Sequence, residues 1–187
     1  MNSLPKVFQN GEQVDLVAML NAREERSDIQ QLLLSKLKPN GKGSLLLMTM
    51  AIPGPIKANK ILNQAFNEVK KEVEKALESQ KIIKKIKREE VTGLEFYVLS
   101  HLDSLEMKKR MVNIEENHPL GRLFDLDVLM LDQNNEVQGK SRTKLGLPVR
   151  RCFLCERPAK DCGRSRRHTV LELQEEISNR IQNYFKN

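Results

Sequence analysis

The chain has 187 residues, a length suited to one domain, with 39% apolar residues, 4% aromatic residues, no Trp and a formal net charge of +7. The apolar runs are far too short to cross a bilayer, and the first twenty residues carry Lys6, Glu12 and Asp15 where a leader would be apolar; the expectation is a cytoplasmic protein with no membrane partner. The charge is concentrated: residues 140–168 hold ten Lys or Arg against Glu156 and Asp161, a net of +8 that leaves the remainder near −1, so this segment should attract a nucleic acid, a polyphosphate or an acidic protein.

In chain order, residues 14–37 predict a helix, with Asp15 as its cap, apolar residues at 16, 17, 20, 29, 32, 33 and 37, and Pro39-Asn40-Gly41 as its stop. Residues 44–52 form a compact apolar run with the length of a buried strand, closed by Pro53-Gly54-Pro55. Helical spacing of apolar residues follows over 59–79. Residues 82–90 read equally as strand or helix end, and 94–99 as a strand. A short helix over 103–109 and a strand over 110–115 come next. The strongest strand pattern covers 123–131, followed by an Asn134-Asn135 turn into 136–138. Residues 139–167 are basic and loop-rich, and 169–185 predict an amphipathic helix. The pattern implies an α+β fold with a mixed or antiparallel sheet flanked by helices.

The richest stretch in chemistry is His118-Pro119-Leu120-Gly121-Arg122-Leu123-Phe124-Asp125-Leu126-Asp127. On a strand Asp125 and Asp127 point to one face and Leu126 to the other. Two adjacent carboxylates repel each other unless a hard cation neutralises them, and Mg²⁺ accepts a few carboxylates plus phosphate oxygens. The plain alternative is a solvated pair on a half-exposed strand. Gly121 permits close backbone approach, and Arg122 offers a planar fork to phosphate. Pro53-Gly54-Pro55-Ile56-Lys57 before a long helix offers backbone N–H groups and the Lys57 charge to an anion, or is simply a turn. Arg23-Glu24-Glu25-Arg26 reads as an exposed ion-pair network, with an arginine reaching a triphosphate as the weaker possibility.

Within the basic segment, Cys152, Cys155, Cys162 and His168 have the spacing Cys-x2-Cys-x6-Cys-x5-His, the ligand set of a structural Zn²⁺ site. Three reduced, idle cysteines and a surface histidine fit the same spacing. Arg150 and Arg151 beside them are placed to meet phosphate or a protein partner.

Together, Arg23 to Arg26, Pro53 to Lys57, His118 to Arg122 with Asp125 and Asp127, Leu147-Pro148 before Arg150-Arg151-Cys152, and Cys162 through His168 resemble the citrate lyase holo-acyl-carrier-protein synthase family, also described as apo-citrate lyase phosphoribosyl-dephospho-coenzyme A transferases. The resemblance spans nearly the whole chain. The Gly-Arg-x-x-Asp-x-Asp core also resembles the transferase of malonate decarboxylase, whose two aspartates are regarded as catalytic, and it lacks the upstream Gly-Ser signature of the wider nucleotidyltransferase superfamily. The resemblance implies one nucleotidyltransferase-like domain over 1–187: a catalytic core 1–139, the basic cysteine-bearing segment 140–168 and a C-terminal helix 169–187. It implies catalytic roles for Asp125, Asp127 and Arg122, with Mg²⁺ on the aspartates. Donor binding would fall to Gly54, Lys57, Gly121, Arg150 and Arg151. The implied donor is 2′-(5″-triphosphoribosyl)-3′-dephospho-coenzyme A, the acceptor a serine of the acyl carrier (gamma) subunit of citrate lyase, and the by-product diphosphate. A generic protein nucleotidyltransferase that adds AMP is the rival enzyme. A zinc-stabilised nucleic-acid-binding module is the rival of another class; the scarcity of aromatic side chains to stack on bases speaks against a nucleic-acid partner.

Overall fold

Asp15 accepts a hydrogen bond from the Ala18 N–H at 2.8 Å and so starts helix α1 (Leu16–Leu34). The computed structural model describes residues 5–37 and 43–186; the Pro39-Asn40-Gly41 stop lies outside them. Strand β1 (Ser44–Met50) follows, and then α2 (Lys60–Ala76). Asn59 caps α2 by accepting from Ile61 and Leu62, and its amide also donates to the Val7 and Asn10 carbonyls at 2.7 Å, which ties down the N-terminal segment. Residues 82–90, ambiguous in the sequence, form strand β2 (Ile82–Glu90), paired in a hairpin with β3 (Gly93–Ser100).

The expected strand over 110–115 is not formed. One helix, α3 (Ser104–Asn117), runs through both expected elements, capped by Asp103 at the Leu105 N–H. Met107, Met111 and Ile114 recur at helical spacing on its buried side. Lys108 and Glu115, charged but buried on the same helix, interrupt that pattern in the sequence. Strand β4 (Phe124–Leu131), the short β5 (Val137–Gly139), helix α4 (Ala159–Ser165) and helix α5 (Val170–Lys186) complete the order.

The five strands form one antiparallel sheet in the order β2-β3-β1-β4-β5. One face buries Leu46, Met48, Phe96, Phe124 and Leu126 beneath α2, α3 and α5, which contribute Phe66, Met111 and Ile181. On the other face, Leu33, Leu34 and Leu37 cover Leu45, Leu47, Tyr97 and Leu99. Each such side chain contributes about 1.5–3 kcal/mol on burial.

β5 pairs only with residues 129–131 of β4. Upstream, other groups satisfy the outer edge of β4. The Val128 carbonyl accepts from the Lys140 N–H at 2.8 Å and the Leu126 carbonyl from Lys108 Nζ at 2.7 Å. The Leu126 N–H donates to Glu115 Oε1 at 3.1 Å, and the Phe124 carbonyl accepts from Arg150 Nη2 at 2.8 Å. Three side chains and one backbone N–H thus take the place of a further strand, and the side chains bring charge to the edge where the aspartates stand.

Candidate active site

Asp125 and Asp127 lie opposite Thr49 and Leu47 of β1, on the sheet face that α1 covers only in part. Strand alternation puts Phe124, Leu126 and Val128 into the core and leaves both carboxylates facing a cleft of about 1040 Å³. Lys108 and Glu115 of α3, Arg142 and Arg150 also line it.

Arg150 Nη1 lies 2.5 Å from Asp125 Oδ1, and its Nη2 donates to the Arg122 and Phe124 carbonyls at 2.5 and 2.8 Å. The guanidinium therefore fixes Asp125 and binds the basic segment to the start of β4. Asp127 reaches solvent through the cleft. The protein packed around it still pushes its pKa above the usual carboxylate range, chiefly by limiting hydration, with Asp125 adding repulsion and Lys108 opposing both. Lys108 and Glu115 are each nearly fully buried, 3.9 Å apart, and Glu115 Oε2 also pairs with Arg142 Nη2 at 3.1 Å. A pair of carboxylates whose joint ionisation is disfavoured, open to solvent and ringed by cations, fits a hard divalent ion with phosphate ligands.

The other expected residues have different surroundings. Arg122 Nη2 donates to the Arg151 and Cys152 carbonyls at 2.7 and 2.9 Å, so it fastens β4 to the cysteine segment. Lys57 Nζ donates to the Ile52 carbonyl at 2.6 Å, and burial lowers its pKa. Gly54 has φ +83°, and a Cβ there would meet Gln174 Nε2 at 2.5 Å, so this loop packs on α5. The close approach that Gly121 permits is to α3: a Cβ would lie 2.2 Å from the Ile114 carbonyl oxygen. Arg151 lines the cleft and pairs with Glu156. Arg26, in the first-helix charge run, reaches Glu95 at 2.8 Å, and Glu95 also accepts from Tyr97 and Arg88.

The cysteine segment folds as a small hairpin, in which Arg151 and Pro158 bridge, followed by α4. It brings the ligand atoms of Cys152, Cys155, Cys162 and His168 within 4.8 Å of one another, a group able to bind a metal. Cys155 Sγ lies 3.3 Å from Cys162 Sγ and 3.4 Å from His168 Nε2, close to the roughly 3.8 Å between ligands on a tetrahedral zinc with 2.3 Å bonds. The His168 hydrogen bond draws the Cys155 thiol down to about 6, and the neighbouring sulfur pushes Cys162 up to about 11.

Sequence reasoning missed Lys108, Glu115 and Arg142. Buried charges have the same letters as solvated ones, and the sole signal was that 108 and 115 stand seven apart, two turns along one helix face.

Fold and cleft together define an α+β protein with two neighbouring carboxylates in a cleft lined largely by cations. The family model described as CitX, apo-citrate lyase phosphoribosyl-dephospho-CoA transferase, matches residues 14–184. A Streptococcus pyogenes protein named probable apo-citrate lyase phosphoribosyl-dephospho-CoA transferase is 45% identical over 178 residues, 95% of this chain and 91% of its own. A Vibrio cholerae protein of the same name is 47% identical over 96 residues, about half of each chain. Protein CitXG of Haemophilus influenzae is 34% identical over 93% of this chain but only 36% of its own. This chain belongs to the apo-citrate lyase phosphoribosyl-dephospho-CoA transferase family.

Proposed function

We propose that this protein transfers the phosphoribosyl-dephospho-coenzyme A group from 2′-(5″-triphosphoribosyl)-3′-dephospho-coenzyme A to a serine of the acyl carrier (gamma) subunit of apo-citrate lyase. The observation that carries the reading is the Asp125–Asp127 pair opening into a cationic cleft in a chain of this family. The reaction is of the nucleotidyltransferase type. The serine oxygen bonds to the innermost phosphorus as the bond from that phosphorus to the diphosphate breaks, and no covalent enzyme intermediate is required.

Asp125 and Asp127 would hold Mg²⁺, which when bound neutralises charge on the donor phosphates. Arg150 keeps Asp125 oriented, and Lys108 offsets charge beside Asp127. Asp127, open to the cleft, is placed to orient the attacking hydroxyl. Arg122 acts as a positioning residue through its grip on residues 151 and 152. Gly121 and Gly54 act by close packing, Gly121 against α3 and Gly54 against α5, and Lys57 by holding the Ile52 carbonyl. Cations fixed in advance in a partly desolvated cleft are the main means of lowering the barrier to such transfers.

The metal of the Cys152–Cys155–Cys162–His168 cluster is, on this reading, zinc. The set is soft and four-fold with no position left for substrate, so its role is structural. Three free thiols fit a reducing bacterial cytoplasm.

The test is a mass measurement on purified apo carrier subunit after incubation with enzyme, donor and Mg²⁺. A gain equal to the phosphoribosyl-dephospho-coenzyme A group is expected. A gain of AMP when ATP is supplied, with none from the donor, would overturn the assignment in favour of adenylylation.

A further inference from the structure

Two arginines flank the carboxylate pair along β4. At the 122–125 end, Arg150 engages Asp125 and two main-chain carbonyls. Beside residues 126–128, Arg142 Nη2 pairs with Glu115 and Glu116, both at 3.1 Å. Its Nε is buried yet has no hydrogen-bond partner among the described residues. An N–H with neither protein acceptor nor water is costly, and a charged one more so. This one belongs to a guanidinium on the wall of the cleft that holds the aspartates. Lys140 lines the same wall, held there by its backbone N–H on the Val128 carbonyl, and its ammonium has no protein acceptor among the described residues.

We propose that Arg142 and Lys140 form the subsite for the two outer phosphates of the donor, which leave together as diphosphate. The identity of the donor rests on the transfer reading above; the affinity of these two cations for a diphosphate does not. Arg142 supplies a directed donor and Lys140 a point charge, a combination that favours an anion with several oxygens. The cleft lining is cationic overall, but Asp125 and Asp127 repel an anion brought beside them until a divalent ion neutralises the pair. Diphosphate should therefore bind far better with Mg²⁺ present than without it.

The experiment is calorimetric titration of inorganic diphosphate into the full chain with Mg²⁺. Arg142→Lys keeps a cation for Glu115 and Glu116 but removes the Nε–H, and Lys140→Gln removes a charge that holds no other element in place. Each should weaken diphosphate binding roughly tenfold or more, the scale of one charge-assisted hydrogen bond or ion contact. Unchanged affinity in Lys140→Gln and in a folded Arg142→Lys overturns the subsite, and if Arg142→Lys fails to fold, Lys140→Gln alone decides. Weakened diphosphate binding in the variants, with no mass gain on the carrier subunit from the wild-type enzyme, would keep the subsite and remove the transfer reading. A mass gain with unaltered diphosphate affinity would do the reverse.

Discussion

Asp127 takes up a proton more readily in the folded protein than in the unfolded chain, because surrounding protein and then Asp125 disfavour its charge. Its folded pKa is raised, so stability falls as pH climbs from the ordinary aspartate range through the folded value, and stays reduced above it. Asp127→Asn should therefore raise the melting temperature of the metal-free protein at pH 7. The advantage should shrink as pH is lowered towards about 3, below the unfolded aspartate value, and melting curves across pH check this. The same substitution should abolish transfer to the carrier subunit. Gly121 has the opposite balance. Its missing Cβ would press on the Ile114 and Glu115 carbonyls at 2.2 and 2.9 Å, both main-chain atoms with little freedom to yield. Gly121→Ala should cost roughly 1–3 kcal/mol, measurable by denaturant unfolding, and should displace α3, which carries Lys108 and Glu115. The aspartates were legible in the sequence because a strand's period of two declares which side chains share a face. Arg142 was not, because its role depends on a glutamate 27 positions earlier.

Helix α3 shows how an element hides. Its apolar spacing at 107, 111 and 114 is helical, but buried charge at 108 and 115 breaks the contrast between inner and outer faces on which a periodicity reading depends. Apart from β2, which the sequence left open between strand and helix end, the remaining long elements were legible to within a few residues: Asp15 and Asn59 fix two helix starts by side-chain hydrogen bonds, and the Asn134-Asn135 turn leads into β5. The cysteine segment has little apolar packing of its own, with Cys152 and Cys162 as its buried apolar residues. Its shape should depend on metal. The purified protein is expected to contain stoichiometric zinc by elemental analysis, and Cys155→Ser or chelation should lower both the metal content and the melting temperature. Loss of metal should also cost activity, because Arg150 and Arg151 enter the hairpin immediately before Cys152.

At the scale of the whole molecule, the charge is divided between a near-neutral body and a strongly basic segment that forms one wall of the cleft. A protein partner with an acidic surface would be drawn to that wall, and the rate of capture should fall as salt rises. Stopped-flow association with the carrier subunit between 50 and 500 mM salt, on the order of a threefold change in Debye length, tests it; a flat profile would assign docking to apolar contact instead. An α+β fold with one sheet was legible from the number and spacing of strands, with mixed and antiparallel pairing both left open until the structure showed every pair antiparallel. The order of strands was not, since β1 lies between β3 and β4 through pairings that only the assembled chain defines.

The unfinished side of β4 has a further consequence. A strand edge without a neighbouring strand invites a second molecule to dock alongside it, the usual beginning of aggregation, unless other groups occupy its main chain. Lys108, Glu115 and Arg150 occupy that edge with bulky, charged side chains, so the groups that equip the cleft should also oppose edge-to-edge association. Stripping the edge with Lys108→Ala and Arg150→Ala together should produce assemblies visible by light scattering, well before the core itself gives way.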